Sequence, residues 1–286
     1  MSFSFSVATA TPPSLASIVE RIDVKDLRFE EGEEVAAGAA WPPMCVHLFR
    51  PGVSTRGLEV CHGSGGVKVR LLACSAPEEH ELAVRFVRAA AELAGSRVRP
   101  QDAGELAVGE LDGRYGAEWA AHQVRAAALM MARLARERGL VTVRGPVRDF
   151  HLGERLLTEL ETGAEADPEE AFAERLLDAM RRTQYVDPER YYEARPIRVD
   201  SGGGLRVAVW TPSRIGHLFT PVDYVFLMAR GQHGGEMLVV PFGAVPEIAG
   251  DRCSFLDERQ ILVEPVSERD WTVLGQRAER HRTELP

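Results

Sequence analysis

The chain has 286 residues, 45% of them hydrophobic and 27% charged, enough apolar material for a sizeable core in one large domain or two modest ones. Its 34 basic and 43 acidic residues leave a net charge of −9, which argues against a protein that coats DNA or RNA. The composition also excludes collagen, a disulfide mini-protein and a polytopic membrane protein.

Phe3, Phe5 and Val7 alternate with serines, the period of a strand, and the segment reads as an edge strand. A short helix to Arg21 follows, with Thr11 as its N-cap and proline in its first turn. Residues 30–40 form a Gly- and Glu-rich loop. Residues 44–49, 57–61 and 67–74 are three predicted strands separated by the turn residues of 50–52 and 63–66. A helix runs from Ser75 to Leu93 and stops at Gly95, giving an antiparallel meander covered by a helix. The next helix spans 117–138 and ends at Gly139. A short strand at 141–144 and helices at 153–160 and 168–182 follow, with 161–167 as an internal linker. The period then returns to two. Residues 195–199 and 205–210 form one predicted hairpin around Gly202–Gly204, and 222–229 and 236–241 a second around Gly231–Gly235. A short helix at 242–249, a strand at 260–263 and a helix opened by Ser267 complete the chain.

These elements predict an α+β fold of antiparallel sheets, a meander and hairpins, with covering helices and a helical middle segment. The expected organisation is an N-terminal α+β unit at 1–145, a helical connector at 146–188 and a C-terminal α+β unit at 189–286. The N-terminus lacks the basic and apolar regions of a signal peptide, and the apolar run 224–229 is too short to span a bilayer. With Cys45, Cys61, Cys74 and Cys253 in apolar strand-like runs and read as free small hydrophobes, a cytoplasmic location is expected.

Cys45, His47, Cys61, His62 and Cys74 gather on the meander, and thiolate and imidazole are zinc ligands. The short knuckle spacings of structural zinc are missing, so the cluster reads as half-buried sheet residues and no metal is expected. Gly63–Lys68 has strands on both sides rather than the strand-to-helix setting of a phosphate-binding loop, and reads as a hairpin turn. Glu78, Glu79 and Glu81 suit the positive end of a helix dipole, which accounts for them without catalysis. His80 beside them has no paired nucleophile, and His122 and His151 read as packing or capping residues. The local signatures of serine hydrolases, zinc proteases and dinucleotide-binding proteins are absent from the sequence, so no catalytic residue and no cofactor are assigned.

The strings Ser54–Val60 and Val67–Leu71 with the helix that starts at Pro77, and the tail Phe255–Pro265, resemble an uncharacterised family of bacterial cytoplasmic proteins, a domain of unknown function. That resemblance carries over no catalytic residue.

Tyr191, Tyr192, Trp210, His217, Phe219, Asp223 and Tyr224 concentrate amphipathic side chains near predicted strand ends, the chemistry of an interface. They are the candidate binding residues. The expected function is non-catalytic protein binding, with another protein as partner: a basic toxin masked by an immunity protein, or a component of the same system. Nucleic acid and membrane are not expected partners. The rival readings are an enzyme that uses His217 and Asp223 in a scattered site, and a subunit of a homo-oligomer.

Overall fold

In a computed structural model, the described residues are 2–29, 33–34, 45–63, 65–162, 167–199, 204–228 and 237–286. Most of the predicted loop 30–40, the centres of both predicted hairpin turns and residues 163–166 of the predicted linker lie outside them. The chain divides into two compact units, 1–185 and 186–286. The class is α+β, and among the described residues no helix is long and apolar enough to cross a membrane.

The first unit contains, in order, β1 (Phe3–Val7), α1 (Leu15–Ile22), β2 (Arg28–Phe29), β3 (Glu33–Glu34), β4 (Val46–Phe49), β5 (Leu58–Gly63), β6 (Gly66–Leu71), α2 (Pro77–Ala94), β7 (Val98–Pro100), α3 (Leu111–Arg114), α4 (Ala117–Arg138), β8 (Leu140–Val143), β9 (Phe150–Gly153), α5 (Glu154–Glu161) and α6 (Pro168–Gln184). Its main sheet is antiparallel throughout, in the order β3-β2-β4-β5-β6-β1-β7. β6 shows why the meander forms. Val67, Val69 and Leu71 are buried while Lys68 and Arg70 are exposed, so one face meets the core and the other water. Phe86, Val87 and Ala90 of α2 share that core with Phe5, Val60 and Val69.

Three expectations change here. β1 is an interior strand and not an edge, because Val98–Pro100 returns to pair with it. Pro100 then sits on the outer strand, where its missing N–H costs no ladder bond. The first helix is capped by Ser14 and not Thr11: the Ser14 hydroxyl accepts from Ser17 N at 3.1 Å, and Pro12 and Pro13 lie upstream. Cys45 and Cys61 are not free. They face each other across β4 and β5, one step beyond the pair Val46–Val60, and form a disulfide, which removes both from any thiolate ligand set. Cys74 is buried and Cys253 half-buried as thiols.

The helical middle packs as a second cluster of the same unit. Val124, Ala128 and Met131 of α4 meet Leu156 and Leu157 of α5 and Phe172, Leu176 and Met180 of α6. The predicted connector 146–188 thus contributes α5 and α6 to this cluster. His151, read from sequence as lying near a helix start, precedes α5 as the second residue of β9, opposite Thr142, with Nδ1 3.0 Å from the Thr142 hydroxyl.

The second unit contains β10 (Tyr191–Ala194), β11 (Ile197–Val199), β12 (Leu205–Trp210), β13 (Gly216–Phe219), β14 (Tyr224–Leu227), β15 (Leu238–Pro241), α7 (Val245–Ala249), β16 (Cys253–Phe255), β17 (Ile261–Val263) and α8 (Glu268–Ala278). Two four-stranded sheets, β10-β13-β17-β16 and β11-β12-β14-β15, share one core with α7 and α8. Both predicted strand pairs are antiparallel as expected. The pairs β10–β13 and β12–β14 are parallel, because the chain leaves β12, lays β13 into the other sheet and returns beside β12. Ser267 caps α8 by accepting from Asp270 N.

Gly66 is the tightest point of the main sheet. Its φ is +115°, and a Cβ there would lie 1.9 Å from the carbonyl oxygen of Val7. Gly66→Ala is therefore expected to destabilise the first unit by about 2 kcal/mol or more, measured by denaturant unfolding, because both backbone conformation and contact are lost.

Candidate functional site

Two places concentrate polar chemistry, one in each unit. In the first unit Glu79, in the opening turn of α2, is only 1% exposed. Its carboxylate accepts from Thr55 N at 3.1 Å, the Thr55 hydroxyl at 2.8 Å, Arg56 N at 3.2 Å, Ala76 N at 2.6 Å, and Gly57 N. A helix dipole does not account for that: Glu79 is the anion around which residues 55–57 are wrapped. Gly57 has φ +72°, and a Cβ would sit 2.5 Å from His47 Nε2 and 2.8 Å from the Leu48 carbonyl oxygen. His47 Nε2 meets the Arg56 carbonyl oxygen at 2.5 Å, and burial pushes the imidazole's pKa below its ordinary value. The Tyr185 hydroxyl donates to the Ser54 carbonyl at 2.8 Å, and Arg181 Nε donates to the Val53 carbonyl at 3.1 Å. With the carboxylate's acceptor positions filled by the protein's own N–H and O–H groups, this is a latch and not a reaction centre.

In the second unit a groove of about 450 Å³ opens beside β10 and β11, the outermost strands of their two sheets. Tyr192, Ala194, Ile197, Val209 and Ile215 give it apolar walls. Arg195, Thr211, Ser213 and His217 supply the polar groups, and no carboxylate lines it among the described residues. Parallel pairing sets Tyr192 beside His217, with ring centroids 6.2 Å apart, edge to face. His217 also stacks on Phe219 at 5.7 Å. Burial alone holds its pKa down at about 4, so the imidazole is neutral at pH 7.

The seven candidate residues separate. Tyr192, 55% exposed, and His217 line the groove. Trp210 and Phe219 are fully buried and pack with Trp271 in the core, so they offer no surface. The Tyr191 hydroxyl donates to Glu264 at 2.5 Å, and the Arg190 guanidinium lies 5.4 Å from the ring centre. Asp223 accepts from Arg206 N at 2.7 Å through its carboxylate, and Tyr224 is half-buried on β14 beside Val207 of β12. Asp223 is therefore committed to the backbone of β12, and His217 contacts rings. Sequence reading missed Arg195, Ile197 and Ile215. Alternation from Tyr192 to Ala194 marks one face of β10, but the opposing wall follows only from strand order. Among the described residues, no group of three or more His, Cys, Asp or Glu could hold a metal ion.

Two outcomes are expected. Glu79→Gln turns acceptors into an amide that cannot satisfy the N–H groups of residues 55–57, and should lower unfolding free energy by about 3 kcal/mol. For His217 the folded pKa lies below the unfolded value, so the unfolded state binds the proton first on acidification. Stability is full above about pH 6.5 and falls between there and about pH 4, by roughly 3 kcal/mol in total. His217→Gln should flatten that limb, and a proton resonance of the imidazole should titrate with a midpoint near 4.

The family described as domain of unknown function, DUF4299, matches residues 2–211, which takes in the whole first unit and β10 to β12 of the second. No curated protein and no solved structure matches the chain. With well over half its length matched, the chain belongs to the DUF4299 family.

Proposed function

We propose that this is a non-catalytic protein-binding protein, an accessory or immunity factor of the bacterial cytoplasm, whose second unit receives an extended segment of another protein. The observation that carries the reading is the groove beside β10 and β11, with Tyr192 and Ile197 each more than half exposed at its rim. Both strands end their sheets among the described residues. An edge strand offers a row of backbone donors and acceptors, and a neighbouring apolar groove selects the side chains of a strand laid against it. The net charge of −9 favours encounter with a basic partner.

The enzyme reading is weaker because its proposed base and acid have other work: Asp223 holds Arg206 N, and His217 is buried against Phe219. The Ser213 hydroxyl accepts from Ile215 N at 3.3 Å.

The test is photocrosslinking from position 192 in native-host cells, with Val273 of α8, also exposed, as control position. The captured protein is then purified and its affinity measured. Tyr192→Ala combined with Ile197→Asp should weaken binding at least tenfold, about 1.4 kcal/mol, while leaving far-ultraviolet dichroism unchanged. Equal affinity for the double variant would remove the groove from the function.

A further inference from the structure

The Cys45–Cys61 bridge lies on the face of the main sheet that points away from the core. Val60 and Val69 are buried on one side of the sheet, whereas Cys61 and Lys68 alternate onto the other. Cys45 is exposed and Cys61 half-buried, so a thiolate in solution can reach the first sulfur. Antiparallel pairing places Lys68 directly opposite Cys61, on the side away from Cys45. Side chains so paired stand about 5 Å apart at Cβ. Glu59, next along the same face, is engaged by Arg70 at 2.9 Å, and among the described residues Lys68 makes no ion pair. Lys68 is thus the cation that stands across the strand pair from Cys61 on the same face of the sheet.

We propose that Cys45–Cys61 is a reversible thiol–disulfide exchange site for a dithiol reductant. The attacking thiolate bonds to Cys45 Sγ, the S–S bond breaks, and its electron pair leaves on Cys61 Sγ beside Lys68. The second thiol of the reductant then attacks the mixed disulfide, releasing the Cys45 thiolate and leaving the reductant as a cyclic disulfide. Two electrons and two protons pass from the dithiol to the cysteine pair. A lower-pKa leaving thiol departs faster, and a neighbouring cation lowers that pKa. The bridge closes a ring of chain that contains residues 54–57. Glu79, Arg181 and Tyr185 hold that loop without it, so the dithiol form keeps the fold.

The inference is independent of the groove in the second unit. Its test uses the full chain with Cys253→Ser, treated with dithiothreitol under native conditions and quenched with a polyethylene-glycol maleimide. The expected result is a gain of two labels with unchanged far-ultraviolet dichroism, reversed by oxidised glutathione. Lys68→Gln should slow reduction about threefold or more, without shifting the melting temperature of the oxidised protein. Labelling that needs denaturant, two thiols already free after aerobic purification, or a reduction rate indifferent to Lys68→Gln would each overturn the proposal.

Discussion

Taking a carboxylate out of water costs several kcal/mol unless its lone pairs are met, and Glu79 is met by four backbone N–H groups and one hydroxyl. Those donors come from two places far apart in the chain, residues 55–57 and Ala76. One side chain thus fixes the passage between β4 and β5 against the start of α2. The helix must begin at Pro77 for Glu79 to arrive there, and Gly57 must lack a side chain for the loop to close on His47.

The second unit is organised differently. Its core joins two small sheets through Trp210, Phe219 and Trp271, aromatic rings meeting edge to face. On β12 Trp210 turns into that core while its neighbour Val209 lines the groove. Ala194 belongs to both core and groove, and His217 at the groove stacks on Phe219 in the core, so the proposed binding surface is built directly on the packed interior of the unit.

Residues with a clear period were legible. The alternation of β6, the stripes of α2 and α4 and the strand pairs β11–β12 and β14–β15 could be read because one side of each meets water. β9 and β13 went unread: all four residues of each are buried, which leaves no alternation, whereas β4, buried likewise, was marked by the turn residues 50–52 that follow it. β7, at three residues, is too short to show a period. Glu79 looked like its exposed neighbours Glu78 and Glu81, since a sequence does not distinguish a carboxylate facing amides from one facing solvent. The Cys45–Cys61 pairing follows from register between β4 and β5, which spacing alone does not determine. Trp210 and Phe219 were drawn into the candidate surface because aromatic residues suit cores and interfaces alike.

The excursion of β13 between β12 and β14 bears on how the second unit assembles. A meander can zip strand by strand, each turn delivering the next neighbour. Here β14 lies beside β12 while the chain between them belongs to the opposite sheet. β17, from much later in the chain, must then arrive beside β13 before that sheet is complete. Closing those loops ahead of the contacts that reward them raises the entropic barrier, so the two sheets of this unit are expected to form together rather than strand by strand.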